Sequence, residues 1–363
     1  MRRLRSCCFA TAAVTLAFAA GLSATPVEAK DFYDGKTIKL IVPFAQSGGS
    51  GQWARAVEPH LRKVLGDKTS FQIVFKPGAG SVAGANEWYA RMRPDGTNIL
   101  LSSGSTVMPW ILGQKQVKYD FRKMTPFVAQ AVAAIVFSTK KVGGDASKWK
   151  KPVEPLVAPG ITVTGADLAR VIAFEVLDIP IKFVFGYKSN GEAYKAMLSG
   201  EGNVGVIASP GYASRVVPEV ERGTFVPVMN LGTVNAAGEL IRDPIYPDMP
   251  TPRDIYKTMN GKEPSGLAWD AYKSVIGAAW SMQKVAWLHQ KAPKAAKQAI
   301  QVIFEKTLKD PKVRKLLAKK QGDYPFYFGE KEIGSIFYKS AEIKPATKDW
   351  LIKFLRDKYK AKI

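Results

Sequence analysis

The chain has 363 residues, of which 46% are apolar and 23% charged, a balance that excludes collagen-like, coiled-coil and disordered classes and leaves room for about two domains. Its 53 Lys+Arg against 31 Asp+Glu give a formal charge of +22, an excess that favours anionic partners. With only 2 cysteines and 2 histidines, thiol and metal chemistry start with few reagents.

Residues 1–29 read as an export signal. Arg2, Arg3 and Arg5 form a basic start, and residues 7–22 are apolar and uncharged. Val27-Glu28-Ala29 places small residues at both determinant positions of a cleavage site, with Ala24 a second candidate. The run is shorter than the roughly 20 residues that span a bilayer. No later uncharged stretch approaches that length, so a soluble periplasmic product cleaved near Ala29 is expected. Cys7 and Cys8 both fall inside the signal, leaving no disulfide or Cys–metal chemistry beyond it. His60 and His289 have neither a ligand-type residue at i+4 nor a nucleophile-elbow serine beside them, so metalloenzyme and Ser/His hydrolase chemistries lose their usual reagents. Neither a metal, a cofactor nor a catalytic residue is expected.

From Lys36 strand and helix signals alternate. Residues 37–44 are a β-branched run that becomes wholly apolar, as in a buried parallel strand. The loop Gln46-Ser47-Gly48-Gly49-Ser50-Gly51 follows. Trp53, Val57, Leu61 and Leu65 then recur at helical spacing, and Gly66 is placed to end the helix. The unit repeats as strand 71–75, loop Lys76-Pro77-Gly78-Ala79-Gly80, and a helix with Val82, Ala85 and Trp88 on one face. A third strand, 98–102, ends in Ser103-Gly104-Ser105-Thr106. Residues 127–139 are apolar enough to cross between two lobes. Beyond them, Thr164-Gly165-Ala166-Asp167 has the form of a capping box, with Asp for Glu, opening a helix to Leu177. Further strands are expected at 181–185, 204–208 and 225–229. The chain after residue 281 reads as helical and basic, with Asp310-Pro311 starting one helix and Gly322 stopping it.

The strand-terminal loops carry the chemistry. In an open α/β sheet, ligands bind where the strands end. Gly48, Gly49 and Gly51, and Gly78 and Gly80, leave backbone N–H groups unshielded by a Cβ. Each loop runs into a helix N-terminus carrying roughly half a positive charge. Two such loops on adjacent strands make a site for a carboxylate or phosphate held by main-chain donors. Ser47, Ser50, Ser81, Ser105 and Thr106 add hydroxyls. A nucleotide fits poorly: residues 78–84 miss the dinucleotide glycine spacing by one, and no loop ends in Gly-Lys-Ser/Thr. The lysines and arginines from Lys284 to Lys320 read as a solvated helical stripe, without the interleaved aromatics of a nucleic-acid module, so no nucleic-acid partner is expected.

Taken together, Ile41-Val42-Pro43-Phe44-Ala45 with its Gly-Gly loop, Lys76-Pro77-Gly78-Ala79-Gly80 and Pro94-Asp95-Gly96-Thr97 closely resemble the start of the Bug-type solute receptors of tripartite tricarboxylate transporters. A weaker resemblance continues through Phe185-Gly186-Tyr187-Lys188, residues 196–200, Met249-Pro250-Thr251 and residues 308–314. It implies a two-lobed protein of the type II periplasmic-binding-protein fold that captures a small carboxylate, a di- or tricarboxylate or an aromatic acid, between its lobes and delivers it to membrane permease subunits. Carried onto this chain, the family's gripping positions are Phe44, Ala45, Gly48, Gly49, Ser50, Gly78, Ala79 and Ser81. Ser103, Ser105 and Thr106 come from the third strand end, and Tyr187 and Ser209 from the second lobe. The family commonly has Thr-Asp where this chain has Ser50-Gly51, and an acid where it has Ala208-Ser209. Both departures disfavour an amino-bearing ligand.

The expected architecture is therefore two α/β lobes with two crossovers and a cleft between them. Lobe 1 takes residues 30–130 plus 235–363 and lobe 2 residues 131–234, in a monomer. The rival readings are an exported enzyme acting on an anionic substrate, which needs two carboxylates facing one cleft, and an envelope interaction protein that binds no ligand.

Overall fold

The computed structural model describes residues 31–234 and 239–363; the expected export signal, 1–29, lies outside them. The opening alternation is realised as β1 (Thr37–Val42), α1 (Gly49–Leu65), β2 (Ser70–Phe75), α2 (Val82–Arg91), β3 (Asn98–Ser102) and α3 (Gly104–Ile111). Strand β1 pairs in parallel with both β2 and β3, so all three end on one edge of the sheet. Helix α1 lies over one face: Trp53, Val57, Leu61 and Leu65, spaced four apart, are buried with Ile38, Leu40 and Val42. Gly66 ends it at φ 75°, a conformation that costs other residues about 1–2 kcal/mol.

β4 (Met124–Gln130) joins the same sheet, the chain crosses at 131–133, and β5 (Ala134–Thr139) starts a second one. Then come β6 (Leu156–Gly160), α4 (Leu168–Val176), β7 (Ile181–Phe185), α5 (Asn190–Leu198) and β8 (Val204–Ala208). A helical stretch follows, α6 (Ser209–Gly211) and α7 (Val217–Glu221) flanking a wider turn at Tyr212–Val216, and leads to β9 (Phe225–Asn230). β5 lies antiparallel between β8 and β9, while β6 pairs in parallel with β7. The Val157 N–H donates to Asn203 Oδ1 at 2.8 Å and ties the two sheets into one lobe.

After the short antiparallel pair β10 (Thr233–Val234) and β11 (Leu240–Ile241) come α8 (Pro252–Asn260), α9 (Leu267–Ile276), β12 (Lys284–His289), α10 (Lys294–Lys309), α11 (Pro311–Gln321), β13 (Phe326–Phe328), α12 (Glu330–Ala341) and α13 (Pro345–Tyr359). The chain beyond residue 281 is thus not wholly helical. β12 returns to the first sheet, inserts between β3 and β4, and runs antiparallel to both. The completed order is β13-β4-β12-β3-β1-β2. β12 is a strand because both its faces are buried: Val285 and Trp287 enter one core cluster, Ala286 and Leu288 another. Its direction carries its first residue to the edge where β1–β3 end, Val285 standing opposite Ser102.

Asp310 caps α11 as its sequence suggests, accepting from the N–H groups of Lys312 (2.8 Å) and Val313 (3.2 Å). Lys291, Lys294, Lys306, Lys309, Lys312, Lys315 and Lys319 are exposed, the solvated face expected of them. Lys284 is not part of that face; it is 6% exposed, inside the sheet edge. The two lobes are joined along one flank, where α4 packs on α9 and α9 on α13, through a cluster that includes Leu168, Ile172, Tyr272, Trp280 and Leu351. Among the described residues no helix is long and apolar enough to cross a membrane.

Candidate functional site

A cavity of about 640 Å³ lies between the lobes at the edge where β1, β2 and β3 end. It is lined by Phe44, Ala45, Gly48, Gly49 and Ser50 after β1, by Gly78, Ala79 and Ser81 after β2, by Ser103 and Ser105 after β3, and by Tyr187 from the second lobe. A second cavity, about 770 Å³, is bounded by the crossover at 131–133, α9 and α12, and none of these loop residues reaches it.

The two glycine loops present amides in different ways. Gly48 is the N-cap of α1, in ordinary extended backbone (φ −78°), and its N–H is taken by the Ala45 carbonyl at 3.0 Å. The next N–H groups, on Gly49 and Ser50, belong to the first helical turn and meet no protein acceptor among the described residues. Glycine is required here at Gly51, where a Cβ would stand 2.4 Å from the Gln46 carbonyl oxygen. In the second loop four successive residues have positive φ: Gly78 (152°), Ala79 (46°), Gly80 (64°) and Ser81 (98°). The N–H groups of Ala79 and Gly80 likewise meet no protein acceptor among the described residues. Ala79 and Ser81 each pay about 1–2 kcal/mol for this conformation. Ser81 is held in it by its N–H on the Gly78 carbonyl (2.9 Å) and its hydroxyl on Thr106 Oγ1 (3.0 Å).

Thr106 therefore stands behind the wall rather than on it. It is wholly buried, and its Oγ1 also accepts from the Ser103 N–H (3.3 Å) while Ser103 Oγ accepts from the Ser105 N–H (3.2 Å), a capping box at the start of α3. Ser209 is likewise off the wall: its N–H (3.0 Å) and hydroxyl (3.4 Å) both donate to the Ala133 carbonyl, pinning the end of β8 to the crossover. Tyr187 offers its ring, since its hydroxyl donates to Glu201 Oε2 at 2.9 Å.

Lining residues that the sequence did not mark as ligand-binding include Asp167, Glu192, Gln283 and Lys284. The expected capping box at 164–167 does not form. The Asp167 carboxylate instead turns back to accept from the N–H groups of Ile161 (2.6 Å) and Thr162 (3.2 Å), and pairs with Arg170 (3.1 Å), so α4 starts at Leu168, three residues later than the box would place it. Arg170 is 2% exposed and also donates to the Pro159 carbonyl at 2.8 Å, which places a cation directly behind the acid. Glu192 accepts from the Lys188 N–H at 2.8 Å. Lys284 has no acidic partner among the described residues; its ammonium donates to Gln283 Oε1, and desolvation pushes its pKa down to about 7.

Helix α1 aims its N-terminus into the cavity, the left-handed loop adds two amides, and Lys284 adds a cation, while Asp167 is neutralised from outside. The cavity is built for an anion. No group of three His, Cys, Asp or Glu side chains among the described residues could hold a metal. The lobes meet over it: Arg215 Nη2 donates to the Ser47 carbonyl (3.2 Å), the Ala166 N–H to Ser105 Oγ (3.3 Å), and Trp280 Nε1 to the Ala166 carbonyl (3.3 Å).

No family model matches the chain. No curated protein matches it either. Among solved structures, the periplasmic binding protein BugD superposes with a TM-score of 0.64 at 18% identity, covering 88% of this chain and 96% of BugD. MatC from Rhodopseudomonas palustris, with bound malate, gives a TM-score of 0.63 at 16% identity over 87% of this chain and 98% of MatC. A second R. palustris protein, with adipate, gives 0.61 at 15% identity over 88% of this chain and 96% of its own. At these identities the likeness is one of fold: this chain has the two-lobed periplasmic-binding-protein architecture.

Proposed function

We propose that this protein is a periplasmic receptor that captures a small organic carboxylate between its lobes and hands it to the membrane permease of a tripartite tricarboxylate-type transporter. The observation that carries the reading is the convergence of unengaged main-chain donors from the loops after β1 and β2 on one interlobe cavity. Of the two acids that line the cavity, Asp167 is paired with Arg170 and Glu192 accepts from the Lys188 N–H. Structures of the same architecture hold malate and adipate. Capture works by differential affinity. Ligand oxygens satisfy donors from both lobes only when the cleft is shut, so the closed form is selected. No bond is made or broken, the monomer is sufficient, and export is by the N-terminal signal.

The enzyme alternative needs two carboxylates free to act on one substrate, and one of the two acids of this cavity, Asp167, is tied to Arg170 and to two N–H groups. A thermal-shift screen of mono-, di- and aromatic carboxylates tests the receptor reading. At least one should stabilise the protein, by about 2.7 kcal/mol at a hundredfold excess over its dissociation constant. A screen in which only phosphates or sugars raise the midpoint overturns it, and turnover of a carboxylate ester at this cleft establishes the alternative.

A further inference from the structure

The cavity contains a charge that main-chain capture of a carboxylate does not require. Lys284 stands directly opposite Gln130 on the adjacent strand, so the two side chains leave the sheet on the same face. Gln130 Oε1 accepts from Trp53 Nε1 at 2.8 Å, which puts that face against the first turns of α1. Lys284 is thus a 94%-buried cation lining the cavity near the positive end of a helix, where its charge is disfavoured both by burial and by the dipole.

Among the described residues no carboxylate is bonded to it. β3 and β4 carry no ionisable side chain, nor do the first turn of α1 or the Gly277–Ser281 segment. Across the cavity Asp167 is bonded to two N–H groups and to Arg170, Glu192 is bonded to the Lys188 N–H, and Lys188 adds a further positive charge. On β13, beyond β4, Phe326 is stacked by Arg314, which is paired with Asp323. Among the described residues the polar partner of the Lys284 ammonium is the neutral Gln283 amide.

Resting on the carboxylate reading above, we propose that Lys284 is the counter-ion of the captured carboxylate, and that capture is accompanied by uptake of a proton on its amine. The empty site then favours neutral lysine, and a ligand carboxylate entering beside it restores the ammonium. One ligand oxygen is held by amides of the β1 and β2 loops and another by Lys284, which favours carboxylates over neutral solutes of the same shape. A carboxylate stays ionised throughout the neutral range, so the pH dependence comes from the lysine. Affinity is level where Lys284 is already charged and falls as pH rises past about 7, by at most tenfold per pH unit.

The test is titration calorimetry of the full mature chain with malate, adipate and benzoate from pH 6 to 9, in buffer pairs of different ionisation enthalpy. Wild type should bind at least one of them and take up between half a proton and one proton near pH 8. Lys284→Met should bind it at least tenfold more weakly at pH 6 with no uptake, and Lys284→Arg should bind it with a level pH profile. Because the buffer-pair measurement on wild type needs no variant, poor folding of Lys284→Met does not remove the test. Binding by wild type without proton uptake and with the affinity of Lys284→Met overturns the role of Lys284 alone. Failure of wild type to bind any of the three at any pH overturns the carboxylate reading and this inference with it.

Discussion

Arg215 of the second lobe donates through Nη2 to the Ser47 carbonyl of the first, 3.2 Å away, directly outside the glycine turn that starts α1. The bond ties the two lobes together beside the cavity-lining Gly48, so a separation of the lobes there would break it. Arg215→Ala should leave stability within about 0.5 kcal/mol, as for an exposed contact, while shifting the unliganded protein toward the open form. The expected readouts are a larger radius of gyration in small-angle scattering and a ligand affinity lowered about two- to fivefold. An unchanged scattering profile with unchanged affinity would show that closure does not depend on this contact.

Among the described residues Asp167 and Arg170 form the most deeply buried ion pair, at 7% and 2% side-chain exposure, and two of the three guanidinium nitrogens, Nε and Nη1, meet no hydrogen-bond partner there. The pair is therefore expensive as well as tight. Arg170→Met should cost about 3–5 kcal/mol, because it strands a buried carboxylate beside the ligand cavity. Asp167→Asn added to it should recover most of that loss, since the amide oxygen can still accept from the Ile161 and Thr162 N–H groups. Urea denaturation of the two variants is the measurement, and equal destabilisation of both would remove the charge argument.

The first half of the sheet was legible because its elements state themselves locally. Ile38, Leu40, Ile41 and Val42 make a buried strand, and Trp53, Val57, Leu61 and Leu65 a helix face; the loops between them then had to end at one edge. What stayed hidden depends on partners distant in sequence. Thr106 reads as a ligand hydroxyl until Ser81, twenty-five residues away, is seen bonded to it, and Ser209 until Ala133 is found beneath it. Lys284 was lost for a different reason: six residues of mixed pattern inside a lysine-rich tail give no periodic signal, and only pairing with both β3 and β4 makes them a central strand.

Gly80 couples loop strain to closure. Its φ is +64°, and a Cβ there would stand 3.1 Å from Thr162 Cγ2 on the opposite lobe. Gly80→Val adds both a left-handed β-branched residue, at about 1–2 kcal/mol, and a wedge against the second lobe. A modest loss of stability should therefore accompany a loss of ligand affinity of thirtyfold or more. Thermal unfolding and ligand titration on the same sample separate the two, and retention of near wild-type affinity would mean that the lobes need not approach this closely.

The burial of Lys284 also predicts how the unliganded protein responds to pH. Its pKa is depressed to about 7 in the folded protein from an ordinary value of 10.5, by desolvation. Between those two values the unfolded chain holds a proton that the folded one lacks, so stability rises with pH across that window, by at most about 1.4 kcal/mol per unit. As pH falls through 7 the stabilisation is gone, because the amine is then charged in both states and its burial cost is borne in full. Lys284→Met lacks the titrating group, so the difference in unfolding free energy, wild type minus variant, should climb from pH 7 to 10 and level off on either side. At pH 7 and below the methionine variant should be the more stable protein, since it buries a hydrophobe of similar length in place of an unpaired amine. Urea unfolding of both proteins at pH 6, 7, 8 and 9 gives the difference directly. A flat difference would mean that the ammonium is compensated in the empty site, and would leave no proton for a ligand to recruit.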